Sequence, residues 1–124
     1  MLIEEELTEK IIGAAIEVHR ALGPGLLEST YEKCLALELQ LRGLSFKSQV
    51  PVPIRYKSLT IEDGYRLDLL VEEKIIVELK AVDKIMDIHK AQLLSYMRLM
   101  NVKIGLLLNF HVPILKDGIT RMAL

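Results

Sequence analysis

A single cysteine, Cys34, stands among the 124 residues of this chain, so no internal disulfide can stabilise it. It lies in an apolar helical stretch, where a buried, inert thiol is the plain reading. Long hydrophobic runs are also missing. The longest, Val102 to Phe110, is interrupted by Lys103 and Asn109 and falls far short of the roughly 20 residues that span a bilayer. Charge of one sign is absent too: 16 basic and 17 acidic residues leave a formal charge of −1 and a pI near 6.3. That balance provides no global basic field of the kind that dominates nucleic-acid affinity. Finally, Met1-Leu2-Ile3 runs straight into Glu4-Glu5-Glu6, without the positive start, apolar middle and cleavage site of a secretory leader. The cytoplasm is therefore the expected compartment.

What is present is the balance of a soluble globular protein, 51% apolar and 27% charged. The length fits one domain over residues 1–124 with a real core. No repeat or linker interrupts it. From Leu7 to Leu22, Ile12, Ile16 and His19 recur at helical spacing until Gly23-Pro24-Gly25 ends the run. A second helix is expected from about Leu26 to Arg42, with Tyr31, Leu35 and Leu39 on its stripe and Gly43 as its left-handed stop.

Alternation then sets in. Val50, Val52, Ile54 and Tyr56 share one parity of a strand expected over Phe46 to Tyr56, while Pro51 and Pro53 on the other parity mark an edge strand. Two further strands, Tyr65 to Val71 and Ile75 to Val82, flank a three-residue loop and should pair antiparallel. A third helix is expected from Asp87, as N-cap, to about Asn101, with Ile88, Gln92, Tyr96 and Leu99 on one stripe. A buried strand over Val102 to Asn109 and a short closing hairpin ending near Met122 complete the order ααβββαββ.

The chemistry is concentrated in the predicted hairpin. Symmetric pairing about Glu73 puts Val71 opposite Ile75, Asp68 opposite Glu78 and Arg66 opposite Lys80. Leu67, Leu69, Val71, Ile75, Val77, Leu79 and Ala81 form an odd face that must cover a core, and the even face carries the charges. Directly opposed residues stand roughly 5 Å apart at Cβ, where two like charges are destabilising. A divalent cation resolves the conflict between Asp68 and Glu78, because Mg²⁺ takes one or two carboxylates and completes its shell with water and phosphate oxygens. Lys80, two residues on, could then hold an attacking water or offset charge growing on a phosphate. The alternative is a surface charge ladder over Arg66, Asp68, Glu78 and Lys80.

Asp68, nine intervening residues, Glu78-Leu79-Lys80 and then Gln92-Leu-Leu-Ser-Tyr96 on a following helix resemble the PD-(D/E)XK nuclease superfamily. Gly25-Leu-Leu-Glu28-Ser-Thr-Tyr31 resembles the motif that names its GxxExxY family, over nearly the whole chain. The resemblance implies a restriction-endonuclease-like α/β fold, a mixed sheet flanked by helices, and a nuclease using Mg²⁺ or Mn²⁺ on nucleic acid, DNA foremost. It implies Asp68 and Glu78 as metal ligands, Lys80 as the catalytic lysine and Glu28 as an acid reaching the metal or its water. Gln92 would support the lysine or the substrate, with Tyr96 beside it. His19 is a further candidate ligand, although a histidine on an apolar stripe is ordinarily a satisfied core residue. Tyr31 is expected to pack beneath the site and donate its hydroxyl to a neighbouring acid.

Two rival readings are a non-catalytic assembly module that keeps the fold, and a nuclease that borrows its substrate surface from a homo-oligomer or a protein partner.

Overall fold

The computed structural model describes residues 2–124. Helix α1 (Glu5–Leu22) buries Ile11, Ala14, Ala15 and Val18, one stripe at spacings of three and four. It ends at Gly23, whose φ of 70° lets its N–H turn back to the His19 carbonyl at 2.7 Å. Helix α2 (Glu28–Leu41) buries Tyr31, Leu35 and Leu39, each one turn from the last.

Strands β1 (Phe46–Pro51), β2 (Ile54–Tyr56), β3 (Leu59–Ile61), β4 (Arg66–Val71) and β5 (Ile75–Lys80) follow. Helix α3 (Asp87–Met100) then leads to β6 (Ile104–Asn109), a single 3-10 turn over Leu115–Gly118 and β7 (Ile119–Ala123). The main sheet has the order β1-β4-β5-β6-β7. Among the described residues only β5 and β6 run parallel, because α3 carries the chain back across the sheet between them. Strand β1 is at the edge, as Pro51 implies.

Both faces of the sheet are covered. Leu69, Val71, Val77, Leu79, Leu106 and Leu108 pack against α1 and α2. Leu67, Leu70, Ile76 and Leu107 pack with Leu93, Tyr96 and Met97 of α3 on the opposite face. Gly105 lets α3 come close, since a Cβ there would lie 2.8 Å from the side chains of Leu93 and Met97.

The elements depart from the sequence expectations at four places. Of the stripe expected on α3, Ile88, Gln92 and Leu99 are exposed and Tyr96 is buried, because the helix turns Leu93, Tyr96 and Met97 to the sheet. The predicted strand over Phe46 to Tyr56 breaks after Pro51, and β2 pairs instead with β3 in a separate hairpin. Val52 is fully buried and donates its N–H to Tyr65, while Pro53 has no N–H with which to extend the pairing. Asp87 is the first residue of α3 rather than its cap; the Met86 N–H is satisfied by Nδ1 of His89 at 2.9 Å. The faces of β4 and β5 are not divided into apolar odd and charged even positions, because Leu70 and Ile76 are buried under α3 and Leu67 joins them.

Candidate active site

The symmetric register is observed, with Val71 paired to Ile75, Leu70 to Ile76 and Leu69 to Val77. Pairing stops there. At the next position the Asp68 N–H donates to Oε2 of Glu78 at 2.7 Å, and the Leu79 N–H donates to Oδ2 of Asp68 at 2.9 Å. Each acid thus takes over a backbone donor that a regular ladder would have used, and the two carboxylates hold the strands where they part. On the other side of β4, the Gln49–Asp68 pair is missing from an otherwise continuous β1–β4 register. Asp68 leaves the ladder on both sides, which explains why Leu67 and Leu69 face different cores.

Burial dominates the electrostatics. Glu78 is 5% exposed, and desolvation followed by the neighbouring Asp68 pushes its carboxyl up to about 8. Asp68 is raised mainly by burial, against the pull of the Leu79 N–H and Lys80. Lys80 acts on both acids as the nearby positive charge. It makes no ion pair within 4.0 Å among the described residues, so its ammonium is not tied up by a single partner. Two carboxylates with opposing demands and one uncommitted cation make a site that gains from a further positive ligand.

Glu28, the first residue of α2, accepts a hydrogen bond from the Ala81 N–H at 3.2 Å, which brings the helix onto the backbone just beyond Lys80. What sets this docking is Tyr31. Its ring is fully buried and stacks on Phe110 at 4.4 Å, and Phe110 in turn donates its N–H to the Lys80 carbonyl. The Tyr31 hydroxyl does not go to an acid as expected: it donates to the Gly23 carbonyl at 2.5 Å and accepts from the Leu26 N–H at 3.1 Å. These bonds staple the Gly-Pro-Gly turn that enters α2, so Tyr31 places Glu28 by fixing the helix start.

His19 is buried, and its Nε2 donates to the Val112 carbonyl at 2.8 Å. Among the described residues it makes no hydrogen bond or ion pair with a carboxylate; it joins α1 to the connection before β7. Gln92 is exposed on α3 and lines an apolar recess of about 400 Å³ with Tyr65, Tyr96, Ile54, Ile88 and Leu99. Tyr96 forms the wall between this recess and the acids: Tyr65 meets it edge-on at 6.3 Å, and burial and the nearby Glu78 raise its hydroxyl.

Two site residues escape sequence reasoning, Glu32 and Gln49. Glu32 lies one turn after Glu28, a spacing that puts both acids on one helical face and that could have flagged it. Its carboxyl is raised by burial, and both its oxygens accept from the Gln49 amide at 2.9 and 3.0 Å. Asn109, also buried, clamps the strand ends beside the site by pairing its amide with both backbone groups of Val82.

No group of three or more His, Cys, Asp and Glu side chains is gathered to hold a metal ion among the described residues. No helix among them is long and apolar enough to cross a membrane. A mixed sheet flanked by helices, with its acids where two central strands part, has the restriction-endonuclease-like architecture. A family model of the PD-(D/E)XK nuclease superfamily matches residues 5–122, and the chain belongs to that superfamily. Membership carries a nuclease-type function, and such nucleases generally use divalent metals. Searches among curated proteins and among solved structures gave no match.

Proposed function

We propose that this protein is a metal-dependent phosphodiesterase of the GxxExxY branch, acting on nucleic acid and on DNA foremost. The observation that carries the reading is the desolvated pair of Asp68 and Glu78, held side by side where β4 and β5 part, with Lys80 uncommitted beside them. A like-charged pair this buried is costly for a fold and is retained where a cation is to be taken.

The donor set fits Mg²⁺ or Mn²⁺. Asp68 and Glu78 supply hard carboxylate oxygens, each acid spends one oxygen on a backbone N–H, and Oε1 of Glu78 accepts no hydrogen bond among the described residues. Two carboxylates are enough for an ion that keeps several waters and meets phosphate directly. Asp68 and Glu78 are therefore the proposed ligands, and Glu28 faces the same strand end from α2. A bound divalent cation would supply Lewis-acid polarisation of phosphate and acidify water.

The chain's own residues do the rest. Lys80, half-buried beside the two acids, offsets negative charge growing on the phosphate oxygens. Glu28 fixes the backbone after Lys80 and, with Glu32, keeps that side of the site acidic. Gln92 offers its amide to substrate at the rim of the recess, where the exposed Tyr65 presents ring surface suited to an unstacked base.

A partner-dependent form of this reading has its own support. Tyr56, Leu59 and Ile61 of the β2–β3 hairpin are largely exposed, and Ile88 of α3 is 69% exposed at the adjoining recess. Apolar surface of this kind is characteristic of a contact face, and a near-neutral chain gains from a basic partner when it binds nucleic acid.

Calorimetric titration with Mn²⁺ and Mg²⁺ tests the proposal. The parent chain should bind, Asp68→Asn and Glu78→Gln should both lose binding, and the parent alone should cut single- or double-stranded DNA. A folded parent that takes up neither ion and cuts neither DNA nor RNA would leave the fold as a binding module.

A further inference from the structure

Six non-glycine residues among those described have positive φ, and five of them sit at helix ends or in turns: Glu4, Lys57, Glu72, Glu73 and Asn101. The sixth, Gln49 at φ 52°, lies inside strand β1. Left-handed backbone is disfavoured for a residue with a Cβ, and a strand offers it no turn to justify the conformation. No residue is inserted either, because Ser48 pairs with Leu69 and Val50 with Leu67, the same register on both sides of Gln49. The twist achieves one visible thing: it carries the Gln49 side chain to the acids.

There the amide nitrogen lies 2.9 and 3.0 Å from the two oxygens of Glu32 and 3.5 Å from Oδ1 of Asp68. Carboxylates surround it, so the nitrogen rather than the amide oxygen must face them, since only the nitrogen donates. Arg66 anchors the strained peptide by donating to the Gln49 carbonyl at 3.3 Å. The other oxygen of Asp68 is already held by the Leu79 N–H. Gln49 therefore acts on the one Asp68 oxygen left free, and does so from an anchor on α2.

We propose that Gln49 is a positioning residue of the acid site, which spans Glu32 and Asp68 and holds Oδ1 of Asp68 in the orientation that takes a divalent cation. This rests on the metal-dependent reading given above. A neutral bridge suits the place: a cation there would compete with the metal, and an apolar side chain would leave two acids facing each other unbridged.

Gln49→Gly tests it, because glycine accepts the backbone conformation without strain and removes the bridging side chain. Each variant is followed by thermal unfolding without metal and by calorimetric titration with Mn²⁺ alone. The expected result for Gln49→Gly is an unfolding temperature equal to or above the parent's, with Mn²⁺ affinity at least tenfold lower. Glu32→Ala should lose a similar factor, the double variant should lose no more than either single change, and Glu32→Gln, which keeps an acceptor, should stay within about threefold of the parent. Mn²⁺ affinity preserved within twofold in a folded Gln49→Gly overturns the proposal while leaving the acid pair as a metal site. Equal losses in Glu32→Gln and Glu32→Ala overturn the bridge by making the Glu32 charge the requirement. A parent chain that takes up no Mn²⁺ overturns both the bridge and the metal-dependent reading.

Discussion

Strands β5 and β6 pair without a break from Ile75–Ile104 to Lys80–Asn109, and every residue of β6 is buried. Strand β4, one place over, drops out of both of its ladders at Asp68. The contrast separates two uses of one sheet. Along β6 the side chains from Ile104 to Leu108 only pack, and the backbone pairing with β5 is complete. Where Asp68 lies, carboxylates replace carbonyls as acceptors, a strand residue takes a left-handed twist, and regular pairing is given up so that acids can face a common space. The sheet's regular half supplies the rigidity that lets the irregular half persist.

The largest effects should come from breaking the regular half. Leu106 is fully buried against α1 and α2, and Leu106→Ala should cost about 2–5 kcal/mol in urea unfolding, with cleavage per folded molecule unchanged. Lys80→Met attacks the other half and should show the reverse pattern. Cleavage should fall about 10²–10³-fold in single-turnover assays, the range for removing one preorganised charge stabiliser, while the unfolding midpoint moves little.

A smaller effect, and one that depends on pH, belongs to Glu78. The folded protein keeps a proton on this carboxyl up to about pH 8, whereas an exposed glutamate releases it near 4.5. The native state therefore binds more protons between those values, so stability falls as pH rises from about 4.5 to about 8 and levels off above. Glu78→Gln keeps an acceptor for the Asp68 N–H and removes the titration. It should flatten the curve and exceed the parent by about 1–3 kcal/mol at the alkaline end in denaturant titrations. Saturating Mg²⁺ should raise the parent's stability at that pH and leave the variant's unchanged. A parent curve that is flat over this range would mean that the acids are far better solvated than their burial indicates.

Much of this division was legible in the sequence, for a physical reason: period and opposition are local quantities. Helical stripes located α1 and α2, the loop Glu72-Glu73-Lys74 set the β4–β5 register, and that register brought Asp68 to Glu78. The β2–β3 hairpin was not legible, because its turn at Lys57 has left-handed backbone with no glycine or asparagine to signal it, and Leu59–Ile61 is exposed rather than alternating. Neither was Gln49. A left-handed residue in a strand is imposed by tertiary contacts, here Glu32 from α2 and Arg66 from β4, and leaves no trace in its own neighbourhood. An acid is the expected partner of the Tyr31 hydroxyl when the sequence alone is read. The nearer carbonyl of Gly23 won, since a turn entering a helix has free backbone groups to satisfy.

That last partner sets the smallest effect. Tyr31→Phe keeps the ring stacked on Phe110 and removes only the two bonds that staple the turn before α2, so the global cost should be about 1 kcal/mol. The change should be felt at the helix start rather than in the core. Amide exchange at Leu26 and in the first turn of α2 should quicken, and exchange in β5 and β6 should not. Since Glu28 is the first residue of that turn, cleavage should fall by a few fold as its hold on the Ala81 N–H loosens. Faster exchange at α2 with cleavage unchanged would show that the entry to the helix is coupled to Glu28 in structure but not in chemistry, and would confine the proposed chemistry to the strand ends around Asp68 and Glu78.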